Sequence, residues 1–331
     1  MREILKKLLN TYGATGREDA IRKTIREMVE PYVDEIEEDA LGNLICIRRG
    51  EGARVMLAAH MDQIGFMVMD IDEKGFLRVT NVGGINRNYS LNRHVVFENG
   101  VSGVISYETR DFKPAENGMQ ALFIDIGARS REEAEKRVSL GDVAVYAPDM
   151  FELGEDLIAS PAMDNRVGCA VLIDALRKLS DCPNEVYAVF TVQEEVGLRG
   201  ARTAAFRVNP DLGIALDVTI SGDTPKGPKF PMAAGKGPCV KILDSAVICN
   251  PKVIRLMEDA AARAGVEAQR EVLTGGGTDA GAIQQAHAGV PCGVLSIACR
   301  YVHSACEVIS ISDAEKGAAL IAELLKEKIE M

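Results

Sequence analysis

The sequence has 331 residues, of which 47% are hydrophobic and 26% are charged, proportions that are typical of a soluble globular protein. This length predicts two domains, or one core with a large insertion. The net charge of -11 argues against binding to nucleic acid or to an anionic membrane surface, because both require clustered Lys and Arg. No apolar run approaches the ~20 residues of a membrane span, and the charged first residues do not resemble a secretory signal.

Eight cysteines are scattered along the chain without a Cys-x-x-Cys pair, and most of them lie in apolar stretches. We interpret them as reduced residues of a cytoplasmic protein, because disulfide bonds are rare in that compartment. None lies in a recognisable activating motif, so the sequence does not favour a cysteine nucleophile.

The first part of the chain predicts helices followed by strands. Apolar residues at helical spacing predict helix within residues 2–30, and residues 33–49 predict two short strands. Residues 55–59 form an apolar run that is typical of a buried strand, and His60 follows at its end. Between residues 65 and 156 the pattern changes to short alternating strands separated by glycine and asparagine, which indicates a compact β-rich insertion.

From residue 157 onward, predicted strands alternate with predicted helices. In chain order these are a helix at 167–179, strands at 186–192 and 212–216, helices at 251–264 and 279–287, a strand at 290–298 and a helix at 312–329. Such alternation predicts an α/β fold with a mixed, largely parallel sheet flanked by helices. We therefore assign residues 1–64 and 157–331 to one domain and residues 65–156 to an inserted domain. In such sheets, ligands bind beyond the carboxyl ends of the strands.

Potential metal ligands occur directly after apolar runs or beside glycines, and two of the four histidines are among them. These residues are His60, Asp164, Glu194, Glu195, Asp217 and His303. Taken one at a time, most have an ordinary structural explanation, such as a histidine at a strand end, a helix cap or a carboxylate in a loop. The adjacent acids after the strand at 186–192 are the stronger signal, because a buried carboxylate is costly unless it is solvated, paired or bound to metal.

The order of these residues along one β/α domain is more informative than any one of them. Imidazole and carboxylate suit zinc or cobalt, and Asp62 could hold His60 through the second nitrogen of its ring. Three carboxylates and a bridging hydroxide would balance the charge of two divalent cations, which could activate water and polarise a carbonyl. The pattern therefore predicts a hydrolytic site with two metal ions.

The chain resembles the M42 family of metallopeptidases, aminopeptidases that form tetrahedral particles. The resemblance rests on Ala59-His60-Met61-Asp62, Met163-Asp164-Asn165-Arg166, Gln193-Glu194-Glu195-Val196-Gly197, Asp217, Gly275-Gly276-Gly277-Thr278-Asp279-Ala280-Gly281 and Arg300-Tyr301-Val302-His303-Ser304. Two positions depart from the family pattern: Ala305 stands where proline is common, and Gln63 stands where a charged residue is common. Neither position is a predicted ligand.

By this resemblance, Asp164 would bridge two divalent metal ions, either zinc or cobalt. His60 and Asp217 would complete one metal site. Glu195 and His303 would complete the other. The family also implies a β-rich dimerisation domain, which matches the insertion, and a homo-oligomer in which dimers assemble into a dodecamer with its active sites facing an inner chamber.

The resemblance further implies that Glu194 is the general base that activates the bridging water and that Asp62 orients the first histidine ligand. The glycine-rich stretch lacks the features of a phosphate-binding loop and would instead line the substrate pocket. Within it, Gly276, Gly277 and Asp279 are candidate substrate-binding residues, or Asp279 could cap the following helix.

These observations predict a metal-dependent aminopeptidase that hydrolyses N-terminal residues from peptides, with no nucleic-acid or membrane partner. The alternatives are a metal-dependent deacylase or amidohydrolase acting on a non-peptide amide, a glucanase, and an assembly protein without activity. A glucanase is disfavoured because the chain has no tryptophan and only 5% aromatic residues with which to bind sugar. The preferred N-terminal residue and the native metal stay open.

Overall fold

The computed structural model describes residues 1–108 and 118–331, which contain a large mixed sheet and a smaller closed barrel. In chain order the strands are β1 (Glu35–Glu38), β2 (Leu44–Arg48), β3 (Arg54–His60), β4 (Gly65–Ile71), β5 (Leu77–Val82), β6 (Arg93–Phe97), β7 (Ser102–Tyr107), β8 (Leu122–Asp125), β9 (Val143–Tyr146), β10 (Phe151–Leu153), β11 (Leu157–Ser160), β12 (Glu185–Thr191), β13 (Leu212–Ile220), β14 (Cys239–Leu243), β15 (Gln269–Val272), β16 (Cys292–Arg300) and β17 (Glu307–Ser310). The helices are α1 (Arg2–Leu9), α2 (Asp19–Val29), α3 (Arg87–Ser90), α4 (Arg131–Glu135), α5 (Met163–Lys178), α6 (Arg199–Val208), α7 (Pro251–Arg263), α8 (Asp279–Ile283) and α9 (Ile311–Lys326).

The large sheet has eleven strands within the described residues, and its main path runs in the order β1-β2-β12-β3-β13-β16-β17-β11-β10. The four central strands β12, β3, β13 and β16 run parallel to one another. Strands at both flanks pair antiparallel, and β14 and β15 form a further parallel pair beside β16. The predicted mixed sheet flanked by helices is therefore confirmed, with its parallel pairs concentrated at the centre.

Helices cover both faces of this sheet, as the apolar strands predict. In β3, Val55 and Leu57 contribute to one hydrophobic core, while Met56 and Ala58 contribute to another. The first core is completed by α1, α2, α5, α7 and α9, and the second by α6 and α8. Alternate residues of a strand point to opposite faces, so a strand that is buried on both faces reads as a continuous apolar run.

The barrel is closed by six strands in the order β4-β5-β8-β7-β6-β9, all of which lie within the predicted insertion at 65–156. It has its own hydrophobic core, in which Phe66 and Tyr146 make an edge-to-face contact at 5.5 Å between ring centroids. Residues 109–117 of the predicted insertion lie outside the described part. At the other boundary, β10 pairs with β11 of the large sheet, so the barrel ends before Phe151.

The predicted N-terminal helical stretch is divided into α1 and α2 by a segment that runs beside the end of β3. Ala14 in this segment forms an isolated parallel bridge with Gln63. Gly13 has no room for a side chain, because a Cβ there would lie 2.6 Å from the side chains of Ile21 and Arg166. The segment brings Thr15 and its neighbours close to the predicted ligands.

Four further findings concern predictions made from the sequence. Helix α8 ends at Ile283, earlier than predicted, and the strands β14 and β15 were not predicted, because Lys241 and Glu271 interrupt their apolar patterns. All eight cysteines are unpaired and most are buried. Within the described residues, no helix combines the length and apolarity that crossing a membrane requires.

Candidate metal centre

The carboxyl ends of neighbouring parallel strands bring predicted ligands to one edge of the sheet. His60 is the last residue of β3, and Thr191, the last residue of β12, lies directly beside it in the ladder. Glu194 and Glu195 follow shortly after β12, so they extend from the same edge. This arrangement agrees with the general position of ligand sites in parallel sheets.

The apolar run at 212–216 had indicated that Asp217 follows the end of its strand. In the structure, Asp217 lies inside β13. The strand continues to Ile220 because β16 pairs with it along that length. The other neighbour, β3, pairs with β13 only as far as Ala215. Asp217 therefore belongs to a strand that runs past the end of β3, close to His60.

Asp164 reaches the same place from the start of a helix, and His303 reaches it from a loop. Asp164 lies at the start of α5, where Asp164 and Asn165 have non-helical backbone angles and the peptide bond between them is cis. The side-chain amide of Asn165 donates a hydrogen bond to the carbonyl oxygen of Leu216 at 2.8 Å, which ties this turn to β13. His303 follows β16 and has a left-handed backbone conformation, with φ of 61°.

The buried side chain of Glu307, which was not predicted from the sequence, connects the start of α5 to the loop that carries His303. Its Oε2 accepts a hydrogen bond from the backbone N–H of Asp164 at 2.9 Å, and its Oε1 accepts one from the N–H of His303 at 2.6 Å. Burial raises the pKa of Glu307 to about 8, and the charge of Asp164 adds to this shift. The one signal in the sequence was an acid directly before the apolar residues of β17.

The five predicted ligands form two groups that share Asp164. One group contains His60, Asp164 and Asp217, the other Asp164, Glu195 and His303, and the ligand atoms within each group lie within 4.8 Å of one another. The Nε2 of His60 is 3.0 Å from Oδ1 of Asp164, whereas the Nε2 of His303 is 3.3 Å from Oδ2. The two oxygens of Asp164 thus face different histidines.

This set of donors fits divalent cations. Imidazole and carboxylate are the common ligands of zinc and suit cobalt as well. The Oε1 of Glu195 is buried and has no hydrogen-bond partner among the described residues. Burial raises the pKa of Asp217 well above its ordinary value, and the negative charge of Asp164 adds to this effect. A cation held between these carboxylates would offset both the burial and the repulsion.

A proton and a metal ion would compete for the Nε2 atom of His303. Burial lowers the pKa of His303, but its hydrogen bonds with Asp164 and Glu195 outweigh burial and raise the pKa to about 12. A proton on Nε2 of His303 would occupy the lone pair through which the same nitrogen binds a cation. Metal binding at such a site must therefore release protons.

The fully buried Asp62 contacts both the histidine and the two acids. Its Oδ1 is 3.4 Å from Nδ1 of His60, as expected for a residue that orients the ring. The same carboxylate accepts hydrogen bonds from the backbone N–H groups of Glu194 at 3.0 Å and Glu195 at 3.3 Å. The hydroxyl of Thr15 donates a further hydrogen bond at 2.8 Å. Asp62 thus holds the turn that carries both acids.

Glu194 lies next to the ligands but belongs to neither group. Its Oε2 is 3.9 Å from Nε2 of His60, and its side chain lines the central cavity. Burial raises the pKa of Glu194 well above its ordinary value, and the negative charges of Asp217 and Asp279 add to this shift. A carboxyl group with a raised pKa beside a metal site can take up and release a proton.

A cavity of about 550 Å³ opens over these residues. Its lining includes the five predicted ligands, Glu194, and the backbone of Gly276 and Gly277. Asp279 does not line this cavity; it is buried and accepts a hydrogen bond from the hydroxyl of Thr191. Thr278 is the residue that precedes α8. The negative charge of Asp279 contributes to the raised pKa of Glu194.

One further residue of the cavity was not predicted from the sequence. Lys241 in β14 is buried, and its Nζ lies 3.0 Å from Oδ2 of Asp244 and 2.9 Å from Oε1 of Glu271. A lysine within the apolar run Cys239–Leu243 was the available signal, because a buried lysine requires a paired acid.

Comparison with known proteins agrees with this site. The family profile described as M42 glutamyl aminopeptidase matches residues 42–320. A putative aminopeptidase from Acetivibrio thermocellus is 47% identical over 98% of both chains. An aminopeptidase from the archaeon Desulfurococcus kamchatkensis superposes with a TM-score of 0.94 at 37% identity, over 98% of this chain and 94% of that one. The TET1 peptidase of Pyrococcus horikoshii superposes with a TM-score of 0.87 at 35% identity, over 98% of this chain and 99% of that one. The chain therefore belongs to the M42 family of metal-dependent aminopeptidases.

Proposed function

We propose that the protein is a dinuclear metal-dependent aminopeptidase that removes N-terminal residues from peptides. The observation that carries this proposal is the sharing of Asp164 by two ligand groups in the lining of an open cavity. A two-metal hydrolase needs residues that serve both of its sites, and Asp164, whose two oxygens face different histidines, is the residue that would do so here.

Each ligand group would hold one ion, so that every subunit binds two. His60, Asp164 and Asp217 would hold the first ion. Asp164, Glu195 and His303 would hold the second. Zinc and cobalt both suit this mixture of imidazole and carboxylate. When bound, two such ions lower the pKa of water and stabilise negative charge on the oxygen of the scissile carbonyl.

In this proposal, Glu194 is the general base of the reaction. Its carboxylate takes a proton from the attacking water and returns that proton to the amine of the leaving group. Its position beside the predicted ligands but in neither group supports this role. Asp62 keeps His60 oriented and holds the backbone of Glu194, so it is a positioning residue.

We further propose that residues 65–156 form a dimerisation domain and that dimers assemble into a dodecamer. The related TET1 peptidase of Pyrococcus horikoshii is described as assembling into a tetrahedron or a large octahedral shell. Within residues 65–156, the apolar side chains of Met69, Val104 and Leu140 expose 59%, 46% and 65% of their surface, which a partner subunit could cover. Light scattering tests this proposal, and a stable monomer would contradict it.

The decisive experiment is an assay with aminoacyl-p-nitroanilides before and after chelation, with zinc or cobalt then added back. We expect the protein to release p-nitroaniline from the substrates of some amino acids. Chelation should abolish this activity, and added zinc or cobalt should restore it. If the protein holds two ions but releases nothing from any residue, a metal-dependent deacylase or amidohydrolase acting on a non-peptide amide becomes the better explanation.

A further inference from the structure

Apart from the predicted ligands and Glu194, most side chains that line the cavity are apolar. These side chains belong to Leu198, Val218, Ile220, Ala246, Leu273 and Val302. Val218 and Ile220 belong to β13 and follow the ligand Asp217 along the strand. Apolar walls favour an apolar side chain of the substrate, because both surfaces are removed from water on binding.

Lys241 is the one Lys or Arg among the described residues that line this cavity. Its Nζ contacts both Glu271 and Asp244, and all three side chains are at most 1% exposed. Burial lowers the pKa of Lys241, but the charges of Glu271 and Asp244 outweigh burial and raise it, so the lysine stays protonated. Its charge is already neutralised by the protein and is not available to a substrate carboxylate.

The cluster of Lys241, Asp244 and Glu271 carries more negative than positive charge, since two carboxylates face one ammonium group. The hydroxyl of Thr219, which lines the cavity, donates a hydrogen bond to Oε1 of Glu271 at 2.7 Å. The buried Oε2 of Glu271 has no partner among the described residues. An acidic side chain in this cavity would therefore lose its hydration, gain no free cation and be repelled by the surplus charge.

We propose that the cavity selects peptides whose N-terminal residue is large and apolar and excludes those that begin with glutamate or aspartate. Lys241 then serves as the counter-ion of Asp244 and Glu271 and does not bind substrate. This inference rests on the proposed aminopeptidase function. The inferred preference for apolar residues differs from the glutamyl preference that the description of the family names.

The test compares kcat/KM of the metal-loaded, full-length protein on the p-nitroanilides of leucine, methionine, lysine and glutamate. We expect leucine and methionine to exceed glutamate by about 100-fold, because like charges and a lost hydration shell oppose the acid. Lysine should fall between them. A ratio of leucine to glutamate below about tenfold would overturn the inference. A rate on lysine above that on leucine would also overturn it, because charge and not the apolar wall would then select the side chain.

The same assay distinguishes a failure of the inferred preference from a failure of the proposed aminopeptidase function. Turnover of glutamate at the rate of leucine would leave the aminopeptidase intact and remove only the stated preference. If the protein with two ions bound released nothing from all four substrates, the aminopeptidase proposal itself would fail, and the preference with it.

A substitution tests the role of the charge cluster. Glu271→Gln removes the surplus negative charge and keeps an oxygen that can accept from Lys241, so the ratio of leucine to glutamate should fall by about tenfold. Glu258→Gln is the matched control, because Glu258 pairs with Arg270 at the surface and does not line the cavity. The control should keep the ratio of the parent.

Asp244→Asn is the second variant, which keeps the test valid if Glu271→Gln does not fold. It removes a negative charge from the other side of Lys241 and should lower the same ratio. Circular dichroism establishes that each variant is folded. An unchanged ratio in a folded variant would overturn the role of the cluster.

Discussion

At the scale of single residues, the carboxylates of the site differ in what they contact. Asp164 offers one oxygen to each of the two histidines, whereas Glu194 lies beside His60 and belongs to neither group of predicted ligands. Asp62 contacts the far side of the His60 ring and the backbone of the acids. Substitutions of these residues should therefore separate the loss of metal from the loss of rate.

We expect Glu194→Gln to keep both metal ions but to lose about 10²–10⁴-fold in kcat, because an amide cannot take up the proton of the attacking water. Steady-state kinetics and elemental analysis of the same preparation measure both quantities. Glu132→Gln, at an exposed residue paired with Lys136, is the control and should behave as the parent. Near-normal turnover by Glu194→Gln would refute the role of general base.

Asp164→Ala should lose both metal ions, because Asp164 is the residue that the two groups share. Asp217→Ala should mainly lose one, since Asp217 belongs to a single group. The number of ions per subunit after gel filtration distinguishes the two variants. Two ions retained by Asp164→Ala would show that this residue does not bridge.

Glu18 makes stability depend on pH. It accepts hydrogen bonds from the backbone N–H groups of Gly16 at 2.7 Å and Gln193 at 3.2 Å, and burial raises its pKa from 4.5 to about 7. Between these two pH values the unfolded chain releases a proton that the folded chain keeps. Stability therefore falls as the pH rises through this window, and the loss is complete above the higher value.

Glu18→Gln should remove this loss. We expect it to raise the free energy of unfolding of the metal-free protein by about 1–3 kcal/mol near pH 8 and to have little effect near pH 4. Urea denaturation at both pH values provides the measurement. An equal gain at both would mean that the effect does not come from ionisation.

At the scale of elements, the close approach of α5 to β13 determines where Asp164 lies. A Cβ at Gly168 in α5 would be 2.5 Å from the carbonyl oxygen of Leu216 and 2.3 Å from Oδ1 of Asn165. This is the same Asn165 whose amide binds that carbonyl. A Cβ at Gly317 in α9 would instead meet only side-chain atoms, at 3.3 Å or more.

Gly168→Ala should therefore destabilise the protein by about 1–3 kcal/mol and weaken metal binding, because α5 must move away from β13 and carries Asp164 with it. Gly317→Ala is the matched control and should stay within about 1 kcal/mol of the parent, since alanine also favours helix. Thermal unfolding and metal titration measure both effects. Equal metal affinity in the two variants would contradict this coupling.

The elements also explain how far the sequence could predict the site. His60, Glu194 and Glu195 were predictable because parallel strands end at one edge of a sheet. The position of Asp217 inside β13 was not predictable, because the length of that strand depends on its pairing with β16. The division of the ligands into two groups came from resemblance alone, because spacing along the chain does not determine which loops meet. Glu307 was missed for the same reason: its partner Asp164 is distant in sequence.

At the scale of the whole molecule, we expect the buried acids of the site to make the stability of the protein depend on bound cations. A ligand that binds only the folded state stabilises it by about 2.7 kcal/mol at a free concentration of 100 times its Kd. We therefore expect chelation and removal of metal to lower the melting temperature, and zinc or cobalt to restore it. The melting temperature of the Asp164→Ala variant should not change when a chelator is added. An unchanged melting temperature of the parent after complete metal removal would contradict a buried metal centre.

The order of the central strands has a consequence for the protein while it is being made. β3 lies between β12 and β13, and β13 lies beside β16, so the sheet edge that carries the ligands is assembled from strands that are far apart in the chain. The first ligand group requires Asp217, and the second requires His303. A chain that is still growing on the ribosome cannot complete either group until most of the sheet has been translated. We therefore expect peptide hydrolysis to begin only after synthesis has passed His303, because neither ligand group can act in a two-ion site before both are complete.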